Sequence, residues 1–234
     1  SDLGSTTYLK QLNPGTAHKL YMDAIEALVL LQVHSRPGKL PEYDRDLLTR
    51  ELMLFPDWYL GKHLNATLSD DQRNSLDKVF ELLLANNLAQ PQVYVHRDFI
   101  VRNLMLTSGR PGVLDFQDAL YGPISYDLVS LLRDAFIEWE EEFVLDLVIR
   151  YWEKARKVGL PVQNDFGDFY RDFEWMGLQR HLKVLGIFAR LFHRDGKAGY
   201  LKDIPLVFKY TRKVAERYNT FKPLIKLLDK VEGI

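Results

Sequence analysis

The 234 residues are enough to bury a substantial core, and 31 Lys and Arg against 32 Asp and Glu leave a formal charge of −1. That balance supplies no global attraction for a polyanion, so neither a nucleic acid nor an anionic membrane surface is expected as partner. The absence of cysteine removes disulfides, thiolate zinc sites and a cysteine nucleophile together, and fits a cytoplasmic protein. The most apolar window, Ala24 to Val33, is interrupted by Glu26 and Gln32. It falls short of the roughly 20 apolar residues of a membrane helix. The start, Ser1-Asp2-Leu3-Gly4-Ser5, has neither a basic nor an apolar leader and lacks Met, as expected of a fragment or processed chain.

In chain order, a loop through Asn13-Pro14-Gly15 leads to a helix expected from Thr16, as cap, to about His34, with Leu20, Ala24, Leu28 and Leu31 on its core face. Pro37-Gly38 and Pro41 break the chain. A second helix from about Asp44 carries Leu47, Leu48, Leu52 and Phe55 at helical spacing, and Trp58–Leu64 is assigned no state. Ser69 followed by Gln72 matches a capping box ahead of an apolar stripe, Leu76, Val79, Phe80, Leu83 and Leu84. The period then changes: Val93–Val95, Leu104–Leu106 and Gly112–Leu114 read as short strands. Beyond Pro123 the helical period returns, through Leu128, Leu131 and Leu132, then Trp139, Phe143, Leu147, Tyr151 and Trp152. Asn164 is the expected cap of a helix through Phe188, and Pro223 disfavours an uninterrupted last helix. The aromatic run from Trp139 to Trp152 follows helical spacing and reads as core rather than as a platform for stacking bases.

The polar groups able to do chemistry concentrate in the middle, in His96-Arg97-Asp98-Phe99-Ile100-Val101-Arg102-Asn103 and Leu114-Asp115-Phe116-Gln117-Asp118. Any one Asp or Asn here could be a turn former. Their joint spacing suits a loop followed by a hairpin; if the hairpin folds back, Asn103 and Asp115 converge as hard oxygen ligands for magnesium, and Asp98 faces a substrate hydroxyl. The run matches the protein-kinase pattern H-R-D-x-x-x-x-N followed by Asp-Phe-Gly, except that Gln117 replaces the glycine and no Ala-Pro-Glu follows. Asp127 reads as a helix cap or a brace for this loop rather than as a substrate contact, and His96 is expected to hydrogen-bond the loop backbone.

With its helix-rich continuation, the chain resembles the aminoglycoside and choline phosphotransferase superfamily. It is more similar still to the cell-wall amino-sugar kinases, which phosphorylate the anomeric hydroxyl of N-acetylmuramate and N-acetylglucosamine. The carriers are Asp2-Leu3-Gly4, Arg50-Glu51-Leu52 with Phe55, Trp58-Tyr59-Leu60, the central loop, and Leu114 to Ala119 running into Tyr121-Gly122-Pro123 and Tyr126-Asp127-Leu128. The resemblance implies an α+β, mainly α fold with short central β-hairpins, the C-terminal lobe of a protein-kinase-like structure. It implies one such lobe over residues 1–234, with a hinge remnant at 1–10 and the catalytic and metal-binding segment at 92–119. It also implies ATP and Mg2+ as cofactors, Asp98 as general base, Asn103 and Asp115 as metal ligands, and Met105 as floor of the adenine pocket. Arg50, Glu51, Trp58, Asp118 and Tyr121 are the candidates for the sugar side.

Two departures accompany the match. Ile100-Val101 stands where relatives carry more polar residues, often His then Ser. No glycine-rich strand-turn-strand and no strand lysine occur ahead of the loop. The ATP-covering lobe is therefore expected to be absent, this chain alone to be inactive, and the bared face to self-associate. The alternatives are a non-catalytic, degenerate kinase-like binding module, or a kinase of choline or aminoglycoside type.

Overall fold

The computed structural model describes residues 5–232. Asp2-Leu3-Gly4, the expected end of a hinge, lies outside them. The chain divides into two compact units: residues through Tyr43 together with Gln90–Phe173, and Asp44–Ala89 together with the residues from Glu174 onward.

In the first unit, α1 (Tyr8–Gln11) and α2 (Ala17–Val33) precede β1 (Gln92–Val95), β2 (Leu104–Met105), β3 (Gly112–Val113), β4 (Leu120–Pro123), α5 (Tyr126–Leu132), α6 (Glu141–Lys157) and the start of α7 (Phe166–Asp195). The buried face of α2 comprises Leu20, Tyr21, Ala24, Ile25, Leu28 and Val29; Leu31, expected there, is only half-buried. Thr16 starts the helix without capping it by side chain, because its hydroxyl donates backward to the Gln11 carbonyl at 2.7 Å. The cap expected at Asn164 falls one residue later, where Asp165 Oδ1 accepts from the Asp168 amide at 3.0 Å. The aromatic run is core, as expected: Trp139 and Phe143 pack on Tyr21, and Tyr151 stacks on Phe169.

Two antiparallel pairs form the sheet structure. β2 and β3 make the expected hairpin, Leu104 opposite Val113 and Met105 opposite Gly112. β1 pairs with β4, a strand that sequence reading missed, in the register Gln92–Pro123 through Val95–Leu120. Its four residues, Leu-Tyr-Gly-Pro, have neither alternation nor strand propensity. Gly122 is required there for space, since a Cβ would lie 2.6 Å from Cβ of Tyr43. The consequence bears on function: residues 96–119 form an excursion that leaves one strand and returns to its antiparallel partner.

In the second unit, α3 (Arg45–Leu54) is capped by the Asp44 carboxylate on the Leu47 amide at 2.8 Å. The unassigned residues continue as a π-helical stretch, Phe55–His63. The helix α4 (Asp70–Ala89) has both arms of its predicted capping box, Gln72 N to Ser69 Oγ and Ser69 N to Gln72 Oε1, and buries all five stripe residues. The rest of α7, α8 (Ile204–Arg217) and α9 (Lys222–Glu232) complete the unit, with Pro223 in the first turn of α9. Gly186 of α7 lies so close to the Leu54 main chain that any Cβ would clash with it. Among the described residues, no helix is long and apolar enough to cross a membrane.

Candidate active site

The loop His96–Asn103 is built into the first unit from below. Val101 and Phe99 are fully buried beneath it, and the Val101 carbonyl accepts from the Leu9 amide at 3.1 Å. Val101 of the apolar pair Ile100-Val101 is therefore a core contact.

The loop's entry is held by Asp127 of α5. Its carboxylate is completely buried and accepts from the main-chain amides of His96, at 2.6 Å, and Arg97, at 3.0 Å. Two charge-assisted bonds to backbone donors fix the loop more rigidly than neutral bonds would. Arg97 adopts a left-handed conformation at φ 74°, unusual for a residue with a β-carbon, and its guanidinium sits 5.7 Å from the Tyr43 ring centroid. Asp127 is thus the brace the sequence suggested.

The His96 imidazole is buried edge-on to Phe99. Neither ring nitrogen has a partner at full hydrogen-bond geometry; the expected backbone interaction is a weaker one, with Leu114. Burial holds this imidazole below its ordinary pKa, an effect partly opposed by Asp98, the Leu114 backbone and Asp115.

Asp98 is exposed at the turn of the loop, with its main-chain carbonyl occupied twice, by the Ile100 amide at 2.9 Å and by Asn103 Nδ2 at 3.0 Å. The second bond settles the Asn103 amide: its nitrogen is engaged, which leaves Oδ1 as the atom able to ligate. The hairpin does fold back as the spacing required, since Leu114 N donates to the Asn103 carbonyl at 2.9 Å. Asn103 and Asp115 are thereby brought to the same end of one two-stranded ribbon, both as hard oxygen donors. Asp115 is also left-handed, at φ 70°. Among the described residues no group of three or more His, Cys, Asp or Glu could hold a metal. The donor set therefore fits a cation that completes its shell from water and phosphate, as magnesium does.

Met105 is buried on β2, opposite Gly112 and bridged to Thr7. Asp118 is exposed at the end of the same segment, and Tyr121 is half-buried on β4 with its ring edge to Tyr94. Arg50, Glu51 and Trp58 belong to the second unit. Arg50 is exposed and Trp58 half-buried, whereas Glu51 is buried in an ion pair with Lys183 Nζ at 2.8 Å, so its carboxylate already has a partner.

Sequence reading passed over Gln117 except as a departure from glycine. In the structure its Nε2 donates to Asp115 Oδ1 at 2.7 Å. The signal available was an amide two residues after the carboxylate, within a turn.

A family model described as the phosphotransferase enzyme family matches residues 1–159, which include the whole of this loop and hairpin. The chain belongs to that family. It is 63% identical over 237 residues to the N-acetylmuramate/N-acetylglucosamine kinase of Neisseria meningitidis, covering 100% of this chain and 71% of the relative. It is 48% identical to the enzyme of the same name from Pseudomonas aeruginosa, covering 97% and 68%. In fold it is similar to a choline/ethanolamine kinase family protein from Mesorhizobium loti, with TM-score 0.63, 15% identity, and coverage of 94% of this chain and 68% of that one. An ADP-bound aminoglycoside phosphotransferase gives TM-score 0.54 at 18% identity, covering 90% and 70%. This phosphotransferase is thus mainly helical with a few short strands, like its structural neighbours.

Proposed function

We propose that this phosphotransferase moves the γ-phosphoryl group of ATP to the anomeric hydroxyl of N-acetylmuramate or N-acetylglucosamine, sugars of the cell wall, in the cytoplasm. The observation that carries the reading is the exposed Asp98 carboxylate, set on a loop whose entry and exit are both pinned, with Asn103 and Asp115 at one end of a common ribbon. The identity to amino-sugar kinases over the whole chain supports the substrate class.

Asp98 accepts a hydrogen bond from the sugar hydroxyl, orients its oxygen toward phosphorus and takes up the proton as the new O–P bond forms and the bond from the γ-phosphorus to the β–γ bridging oxygen breaks, ADP leaving with that oxygen. Asn103 and Asp115 would hold a magnesium ion, which when bound supplies neutralisation of charge on the phosphates. The Asp127 brace keeps Asp98 at one position, so little reorganisation accompanies transfer. Met105 floors the adenine, and Asp118 and Tyr121 contact the sugar. A glycine-rich hairpin and a strand lysine have no counterpart in these residues, and turnover requires that they be supplied. Leu106, Leu114 and Phe116, exposed along the hairpin segment, are where self-association would start.

The test is radiolabelled ATP with the protein of the complete reading frame, offered the two amino sugars, choline and an aminoglycoside in parallel. Transfer to the amino sugars is expected, with none by the 234 residues alone. Transfer to choline or the aminoglycoside instead overturns the substrate assignment, and magnesium-dependent nucleotide binding without transfer overturns the enzyme.

A further inference from the structure

The bond from Gln117 Nε2 to Asp115 Oδ1 at 2.7 Å joins two exposed residues. A free glutamine at the surface samples many rotamers, and fixing it costs side-chain entropy. What offsets that cost is an ionised acceptor, since a bond to a carboxylate is stronger than one between neutral groups. Where the protein-kinase pattern has glycine, with no side chain, this chain carries a donor aimed at the carboxylate that the hairpin delivers.

The chemistry of the pair is directional. The amide nitrogen bound to Asp115 does not itself ligate a cation, so what this bond adds to the carboxylate is orientation. By engaging Oδ1 it stops the carboxylate from rotating and leaves Oδ2 presented. The backbone beneath, left-handed at φ 70° in a residue other than glycine, is a sparsely populated conformation that such a tie helps to hold.

We infer that Gln117 is a positioning residue for Asp115, its amide setting the carboxylate so that Oδ2 meets the divalent cation. The inference rests on the proposed reading of Asp115 as metal ligand. Hydrogen-bond partners of metal-ligating side chains typically account for 10–100-fold in metal affinity.

The experiment uses the protein of the complete reading frame, with Mn2+ as probe in the presence of ADP, and water-proton relaxation to follow the complex. Gln117→Ala and Gln117→Met, the second keeping the bulk without the donor, should each weaken Mn2+ by about tenfold. ADP affinity without metal and the KM for sugar should not change, because Gln117 acts only on the Asp115 carboxylate. Unchanged Mn2+ affinity in both variants overturns the inference, as does a normal Gln117→Met beside a weakened Gln117→Ala, which would make bulk the cause. Asp115→Asn separates the two levels. If it abolishes Mn2+ binding while both Gln117 variants bind normally, the positioning role alone fails; if it too binds normally, the metal-site reading fails and the inference with it.

Discussion

On the proposed reading, the loop His96–Asn103 and the segment Leu114–Asp118 share one chemistry, and they are held on opposite mechanical terms. The loop stands on buried Phe99 and Val101, and a fully buried carboxylate holds its first two amides. The segment has five consecutive exposed residues, and its Asp115 carboxylate is tied by one surface amide. On the proposed reading, one region is fixed by burial and the other by a single side-chain tie, and phosphoryl transfer by positioning requires both to hold.

The contrast can be broken most severely at the brace. Asp127→Ala leaves one buried and one part-buried amide without acceptors, at about 1–3 kcal/mol each, so a loss of about 2–4 kcal/mol is expected in urea unfolding. Hydrogen exchange should quicken first at the His96 and Arg97 amides. A loss under 1 kcal/mol would mean that the brace is ornamental. Gly122→Ala drives a Cβ into Tyr43 and loosens the strand pair from which the excursion departs, at a cost of about 1–3 kcal/mol; a neutral result would show that Tyr43 yields freely.

A smaller effect sharpens the comparison through pH. Burial depresses the His96 pKa in the folded protein, so as pH falls below about 6.5 the unfolded chain binds its proton first. The stability contributed by neutral His96 is present above pH 6.5 and is lost on acidification until the folded pKa is passed. The urea midpoint should fall across that window and fall less in His96→Gln; equal slopes would remove His96 as the cause. The smallest effect belongs to the exposed segment. Phe116 is 73% exposed, and Phe116→Ser should change stability by less than about 0.5 kcal/mol. A larger loss would mean that the segment is packed after all.

Much of this was legible in the sequence where a single local rule governs. The Ser69–Gln72 box and the α4 stripe, the β2–β3 hairpin and the aromatic core beside Tyr21 follow from spacing and capping chemistry. The misses involve partners distant in sequence. β4 is a strand only because β1 and Tyr43 receive it, and a Leu-Tyr-Gly-Pro run carries no period of its own. Proline in the π-helical stretch obscured the continuation of α3. In the site, the spacing of Asp98, Asn103 and Asp115 was visible as a pattern, whereas the setting of the His96 ring and the Glu51–Lys183 pair depend on what surrounds them.

The most direct measurement of the central claim is phosphorus NMR of ATP with N-acetylmuramate and magnesium, catalysed by the protein of the complete reading frame and by its Asp98→Asn variant, with ADP binding followed in both. The account predicts a sugar phosphate from the parent, a rate lower by about 10²–10⁴ in the variant, and equal ADP affinity. An Asp98→Asn rate equal to that of the parent would contradict it.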